Sequence, residues 1–294
     1  MKKDYLKYFA GLLLFGSNGV VARFIALTSY EIVMLRSVLG AVLLTALYFL
    51  TGNKITALKY KKDLLFITLS GIAMAADWLF LFEAYDRIGV SLSILINYFG
   101  PVIVIALSPI VLKEKLSWQK VAALIAALSG VFLINGQAVV QGLNFRGLAC
   151  AILSAVSIAL MVLFNKKSKN ITGMENATIQ LLVTAVTVVI FMGFKQGFHM
   201  SIPADNALPV IWLGLINTGI GCYFYFSSIS ALPAQTVAVC GYIEPLSAVI
   251  FAVIFLHETM LPLQIAGAAL ILGGALFGEI CKPKETRKPE IIQE

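Results

Sequence analysis

Ten stretches of about twenty mainly apolar residues, joined by short charged links, run the length of this chain and leave it few ways to fold. They lie at 5–27, 31–51, 63–86, 90–112, 117–136, 146–165, 174–194, 207–230, 233–256 and 262–281. A helix needs about 20 such residues to cross a hydrocarbon layer roughly 30 Å thick. Composition agrees: charged residues make up 13% of the chain, against roughly 25% in an average soluble domain. A soluble core would leave much of this apolar surface in exposed patches, whereas lipid accepts it. The links carry turn residues such as Gly52, Asn53 and Asn170 and have no room for a soluble domain.

The chain has 22 Lys and Arg against 15 Asp and Glu. The basic residues sit in short blocks between the apolar runs, which argues against a nucleic-acid partner and for a membrane. With ten spans and a cytoplasmic amino terminus, 17 of them fall in inside segments and four, Arg23, Arg87, Arg146 and Lys195, fall outside. Arg36 alone lies within a span. This imbalance follows the positive-inside rule and predicts an all-α membrane protein with ten transmembrane helices and both termini cytoplasmic. A plasma membrane, of the bacterial inner-membrane kind, is the expected location. Lys2, Lys3 and Lys7 before the first run imitate a signal peptide, but no small-x-small cleavage site follows, so the run reads as a retained helix. The polar stretch 282–294, with Pro283 and Pro289, is expected to be a disordered cytoplasmic tail. Cys150, Cys222, Cys240 and Cys281 lack CxxC spacing and read as small packing residues, with no metal or cofactor implied.

A shift of 144 residues lays the chain on itself. Tyr98 then meets Tyr242, Pro101 meets Pro245, Leu112 meets Leu256, Glu114 meets Glu258 and Gly130 meets Gly274. Glu31 meets Glu175 and Phe82 meets Phe226 in the same register. Apolar coincidences are cheap in such a sequence, but Tyr-x-x-Pro followed thirteen residues later by Glu is not. The chain therefore divides into five-helix repeats at 5–136 and 146–281. Because five is odd, tandem repeats of five spans cross the membrane in opposite directions. Such inverted repeats are typical of secondary transporters, whose sites lie near the midplane where the halves meet.

Helix 1 carries Phe15-Gly16-Ser17-Asn18, and helix 2 carries the intramembrane Arg36. Helices 4 and 9 carry Gly100-Pro101 and Glu244-Pro245, and end in Leu112-Lys113-Glu114-Lys115-Leu116 and Leu256-His257-Glu258-Thr259-Met260. Gly130 and Gly274 follow in helices 5 and 10. In order and duplication these motifs closely resemble the EamA branch of the drug/metabolite transporter superfamily, over nearly the whole chain. The family usually has Trp where Phe15 stands. The resemblance implies a ten-helix fold and transport of amino acids or related metabolites, often as export.

Residues for such a mechanism are few. Arg36, Asp77, Glu83 and Glu244 are the ionisable groups within spans, where a charge is costly and normally faces a cavity or a partner. Arg36 has three readings: snorkelling to the surface, pairing with an acid, or binding a substrate carboxylate. Glu83, Asp86 and Arg87 read as interfacial, and Glu114 and Glu258 as capping groups. Pro101 and Pro245 fall mid-span and free the carbonyls of Asn97 and Gly241, either as packing kinks or as hinges beside a cavity. Trp78, Tyr98, Tyr223 and Tyr242 read as interfacial aromatics or as cavity walls suited to an ammonium group. The expected substrate contacts are therefore Arg36, Asp77, Trp78, Asn97, Tyr98, Tyr223, Tyr242 and Glu244. Pro101 and Pro245 are the expected hinges. A buried carboxyl group such as Glu244 also suits protons as the coupling ion. A membrane-embedded enzyme is one rival reading, but HExxH, GxSxG and a phosphate-binding glycine loop are missing from the sequence. A receptor or scaffold without transport activity is another, which would need neither midplane charges nor a repeat. Glycine-rich helices 5 and 10 leave packing within one chain or between two open, so monomer and homodimer both stand.

Overall fold

The computed structural model describes residues 2–135, 144–195, 197, 203–257 and 262–280. The expected tail, Cys281 and Glu258 lie outside the described residues. Among those described, the structure is helical throughout and contains no strand.

The first half comprises α1 (Lys2–Gly16), α2 (Asn18–Ala22), α3 (Ser29–Leu50), α4 (Lys61–Ile88), α5 (Val90–Asn97), α6 (Gly100–Val111) and α7 (Trp118–Asn135). The second comprises α8 (Phe145–Lys167), α9 (Gly173–Lys195), α10 (Ala207–Trp212), a π-helical segment (Leu213–Ile220) and α11 (Gly221–Ile229). It ends with α12 (Ala234–Cys240), α13 (Ile243–Leu256) and α14 (Pro262–Ile280). Local chemistry sets several starts. Thr28 and Glu31 form a reciprocal capping box at α3: the Glu31 carboxylate accepts from the Thr28 N–H at 2.9 Å. Asn144 caps α8 by accepting from the Arg146 and Gly147 N–H groups at 3.0 and 3.2 Å.

Seven helical stretches are long and apolar enough to cross a membrane: Ser29–Leu50, Lys61–Ile88, Leu92–Val111, Phe145–Lys167, Gly173–Lys195, Ala204–Ile229 and Ala234–Leu256. Two shorter apolar helices, Trp118–Leu133 and Ile265–Gly278, accompany them. Several expected uninterrupted spans are composite. The 5–27 run breaks at Ser17, the 90–112 run at Tyr98 and Phe99, and the 233–256 run at Gly241 and Tyr242. The 207–230 run passes through the π segment, where the Thr218 hydroxyl donates to the Leu213 carbonyl five residues back at 2.8 Å.

Duplication is visible in the backbone. Among the described residues, the two non-glycine positions with positive φ are Lys113 at 59° and His257 at 54°. They stand 144 residues apart, each just after a helix of the Tyr-x-x-Pro type. Both require the left-handed conformation that bulky residues rarely adopt.

Large apolar side chains point outward along the bundle: Leu50, Phe145 and Phe194 are 82%, 82% and 90% exposed. Polar groups go inward. Asn165, Asn176 and Gln180 are fully buried and bonded to one another at 3.0–3.2 Å. This inside-out arrangement suits lipid, where a polar side chain has to find its partner within the protein. The glycine-rich helices α7 and α14 pack on each other within the chain. A Cβ on Gly130 would collide with the Gly267 carbonyl, and one on Gly274 would lie 2.8 Å from the Ala123 carbonyl. Elsewhere α4 lies along α8 and α9, and α1 lies against α11 and α13. The halves are therefore interleaved.

Candidate functional site

The helix breaks at Tyr98 and Tyr242 meet in the interior, and a cavity adjoins them. Tyr8 and Leu12 of α1, Asn97 and Tyr98 at the first break, and Pro101 and Val104 of α6 form one side. Ile158 and Val162 of α8, Tyr225 of α11, Ala238 of α12, and Gly241 and Glu244 at the second break complete it.

Each proline stands just beyond a break. Pro101 opens α6 near its first position, where its missing N–H costs nothing. Pro245 is the third residue of α13. The expected release of the Asn97 and Gly241 carbonyls needs correcting in the second half, where the Glu244 N–H donates to the Gly241 carbonyl at 3.0 Å in a tighter turn. In the first half the carbonyl of Tyr98 receives the Tyr242 hydroxyl at 2.7 Å, a bond that joins the two breaks.

One charged side chain, Glu244, lines this cavity, and two more, Asp77 and Arg36, lie within electrostatic reach of it. Glu244 is half-buried at the cavity wall, and among the described residues no hydrogen-bond donor reaches its carboxyl oxygens. The charges of Asp77 and Arg36 both act on it. Asp77 is buried on α4, and its Oδ1 accepts from Asn97 Nδ2 at 2.8 Å and from Ser154 Oγ at 2.6 Å. Ser154 belongs to the other half, so the acid is held between repeats. Arg36 does not snorkel. It is buried, its guanidinium carbon lies 4.5 Å from the Trp78 ring centroid, and its Nε donates to Thr218 Oγ1 at 2.9 Å. No carboxylate lies within 4.0 Å of it among the described residues, so the expected acid pair is not formed, and its Nη groups have no protein partner there.

Aromatic groups surround this cluster. Tyr8 and Tyr225 stack with centroids 5.4 Å apart, and the Tyr8 hydroxyl donates to the Val237 carbonyl at 2.7 Å. Tyr98 lines the cavity, whereas Tyr242 is fully buried behind it with its hydroxyl engaged. Trp78 acts through Arg36. Tyr223 lies apart, 5.4 Å from the Lys7 amine, and does not line the cavity. Sequence reasoning missed Tyr8, Tyr225, Ser154 and Thr218. Tyr225 is in the same aromatic run as Tyr223, but the π segment before it changes the phase of the helix. The 144-residue register gives no signal for it, since it pairs Tyr225 with Leu81.

At one end of the bundle a separate polar cluster joins three helices. Glu83 takes hydrogen bonds from Tyr30, Arg87 and Lys195, the last at 2.7 Å. The Lys195 amine also sits 3.8 Å from the Tyr30 ring centroid. Glu114 caps α12, accepting from the Ala234 N–H at 2.8 Å and the Gln235 N–H at 3.4 Å, as the capping reading requires.

Chemically, an unbonded carboxylate among tyrosine faces suits an ammonium group. A guanidinium with free Nη groups suits a carboxylate.

The profile of the EamA-like transporter family matches residues 3–136 and 145–278, one match per repeat. An uncharacterized transporter of Bacillus subtilis is 25% identical over 277 residues, covering 91% of this chain and 88% of its own. The protein named "probable terminal-alkyne amino-acid exporter" in Streptantibioticus cattleyicolor is 25% identical over 182 residues, 60% of each chain. A solved crystal structure with 18% identity superposes with a TM-score of 0.81, over 95% of this chain and 99% of that one, and shows the same fold.

Proposed function

Since this chain belongs to the EamA-like transporter family and is a multi-pass protein of the plasma membrane, we propose that it carries amino acids, amines or related small polar metabolites by alternating access. Net export is the direction, as the name of the Streptantibioticus relative suggests for that protein. The reading takes the fold as ten spans in two inverted five-helix repeats with both termini in the cytoplasm. On this reading the helix pairs α1–α2, α5–α6 and α12–α13 each make one crossing, as does the α10–α11 stretch.

The observation that carries the proposal is Glu244. It stands at the cavity wall with no hydrogen-bond donor among the described residues, beside a broken helix, with Asp77 and Arg36 in electrostatic reach. Broken helices at a central cavity are where transporters of inverted-repeat design hold substrate. Glu244 and the tyrosine faces would take the ammonium of the substrate, and Arg36 its carboxylate. Protons would couple through Glu244, which gains a proton on one side and loses it on the other. With the amino terminus inside, the cavity beside Tyr8 lies in the cytoplasmic half, and the Glu83–Lys195–Tyr30 cluster holds the outer end closed.

The test is uptake by purified protein in liposomes, screened across amino acids and amines. We expect saturable uptake of at least one of these and a pH dependence that Glu244→Gln abolishes, although that variant still purifies as a folded species. A wild-type rate and wild-type pH profile in Glu244→Gln would make Glu244 structural and end this reading.

A further inference from the structure

Tyr98 and Tyr242 are equivalent residues of the two repeats, yet they do different things. Their rings lie 6.1 Å apart between centroids, so they meet directly. Tyr242 is fully buried and its hydroxyl donates to the Tyr98 carbonyl. Tyr98 is half-buried and lines the cavity. Their carbonyls differ in the same sense. That of Tyr98 is bonded by a side chain from the opposite repeat, whereas that of Tyr242 accepts a long 3.4 Å bond from the Leu246 N–H within its own helix. Their prolines follow suit, since Pro101 lines the cavity and Pro245 is buried.

Two like segments in unlike states are what a symmetric machine shows when it is stopped on one side of its cycle. Each repeat has the tyrosine, its carbonyl and the following proline that the exchange needs, so the two states can interconvert by swapping these parts. We propose that the two tyrosines trade places during transport. In the opposite state the Tyr98 hydroxyl donates to the Tyr242 carbonyl, Tyr98 is buried, and Tyr242 enters the cavity wall with Pro245. The second cavity is then lined by the 144-residue counterparts of the first, which include Leu14 in place of Ile158, Asn18 in place of Val162, and Ile94 in place of Ala238. One tyrosine contacts substrate at a time, and which one depends on the side of access. The inference rests on the alternating-access reading and adds the residues that hold each state.

Buried hydrogen bonds contribute modestly, so removing one shifts a two-state balance by roughly fivefold. The experiment uses two single-cysteine reporters, Ala238→Cys for this cavity and Ile94→Cys for its counterpart, in a chain whose four native cysteines are replaced. Tyr242→Phe should lower the ratio of thiol labelling at position 238 to that at 94 by about fivefold, and Tyr98→Phe should raise it. The double variant should return the ratio of the two rates toward that of the parent. Both single variants shifting the ratio in the same direction, or either leaving it unchanged, would overturn the exchange. Labelling reads access without substrate, so the two proposals fail separately. Opposed labelling shifts with no amine or amino-acid flux would refute the substrate reading alone. Flux dependent on Glu244 with unshifted labelling would refute the exchange alone.

Discussion

Asp77 offers the most quantitative test, because structure and charge separate there. Its Oδ1 accepts two hydrogen bonds, from Asn97 Nδ2 at 2.8 Å and Ser154 Oγ at 2.6 Å, and the residue is 5% exposed. Asp77→Ala removes the acceptor; Asn97 Nδ2 keeps its bond to Ser154 Oγ at 2.6 Å, so the Ser154 hydroxyl is the buried donor left stranded. An orphaned buried donor costs about 1–3 kcal/mol, and the variant should lose an amount in that range. Hydrogen bonds between transmembrane helices measure about 0.6 kcal/mol on average, since the inserted unfolded chain finds other partners. That moves the expectation to the low end, about 1 kcal/mol. Asp77→Asn keeps an oxygen where Oδ1 stands, so it should lose clearly less stability than Asp77→Ala while losing the charge. Equilibrium unfolding in mixed micelles, followed by helical circular dichroism, gives both numbers, and liposome uptake gives the effect of charge. Equal stability of the two variants would refute the role assigned to the Asp77–Asn97–Ser154 network. Wild-type flux in Asp77→Asn would remove its charge from the mechanism.

Pro101→Ala restores an N–H that reaches back to Asn97, so α5 and α6 gain the means to run on as one helix. Transport per folded molecule should fall in Pro101→Ala and in Pro245→Ala, by more than the yield of folded protein falls. Unchanged transport would leave the prolines as packing elements. For orientation, cysteines at Lys61 and Lys284 should be shielded from an impermeant thiol reagent in intact cells, whereas one at Gln196 reacts. Labelling at 61 without labelling at 196 would invert the topology.

The sequence by itself determined that the chain is a helical membrane protein and that it is a duplication. Both follow from local and statistical properties, run length, charge placement and the 144-residue register, which need no knowledge of what touches what. Part of the site was legible too, because a charge within an apolar span is a signal in one dimension. Arg36, Asp77 and Glu244 stand out that way, and in the structure the charges of Asp77 and Arg36 lie within reach of Glu244. What each of them does was left to tertiary structure. Arg36 could not be assigned from sequence, since its partners Trp78 and Thr218 come from α4 and from the π segment of the other half. Nothing in the sequence separates Tyr225 from Tyr223, and it is Tyr225, in the helix that follows the π segment, that lines the cavity. Tyr8 carried no signal beyond its place near the first basic block. Its role depends on α1 lying against α11, a contact across more than two hundred residues. The difference between Tyr98 and Tyr242 is likewise absent from the sequence, where the two are equivalents. A repeat encodes one local preference twice, and only packing of the two copies against each other decides which is buried and which faces the cavity.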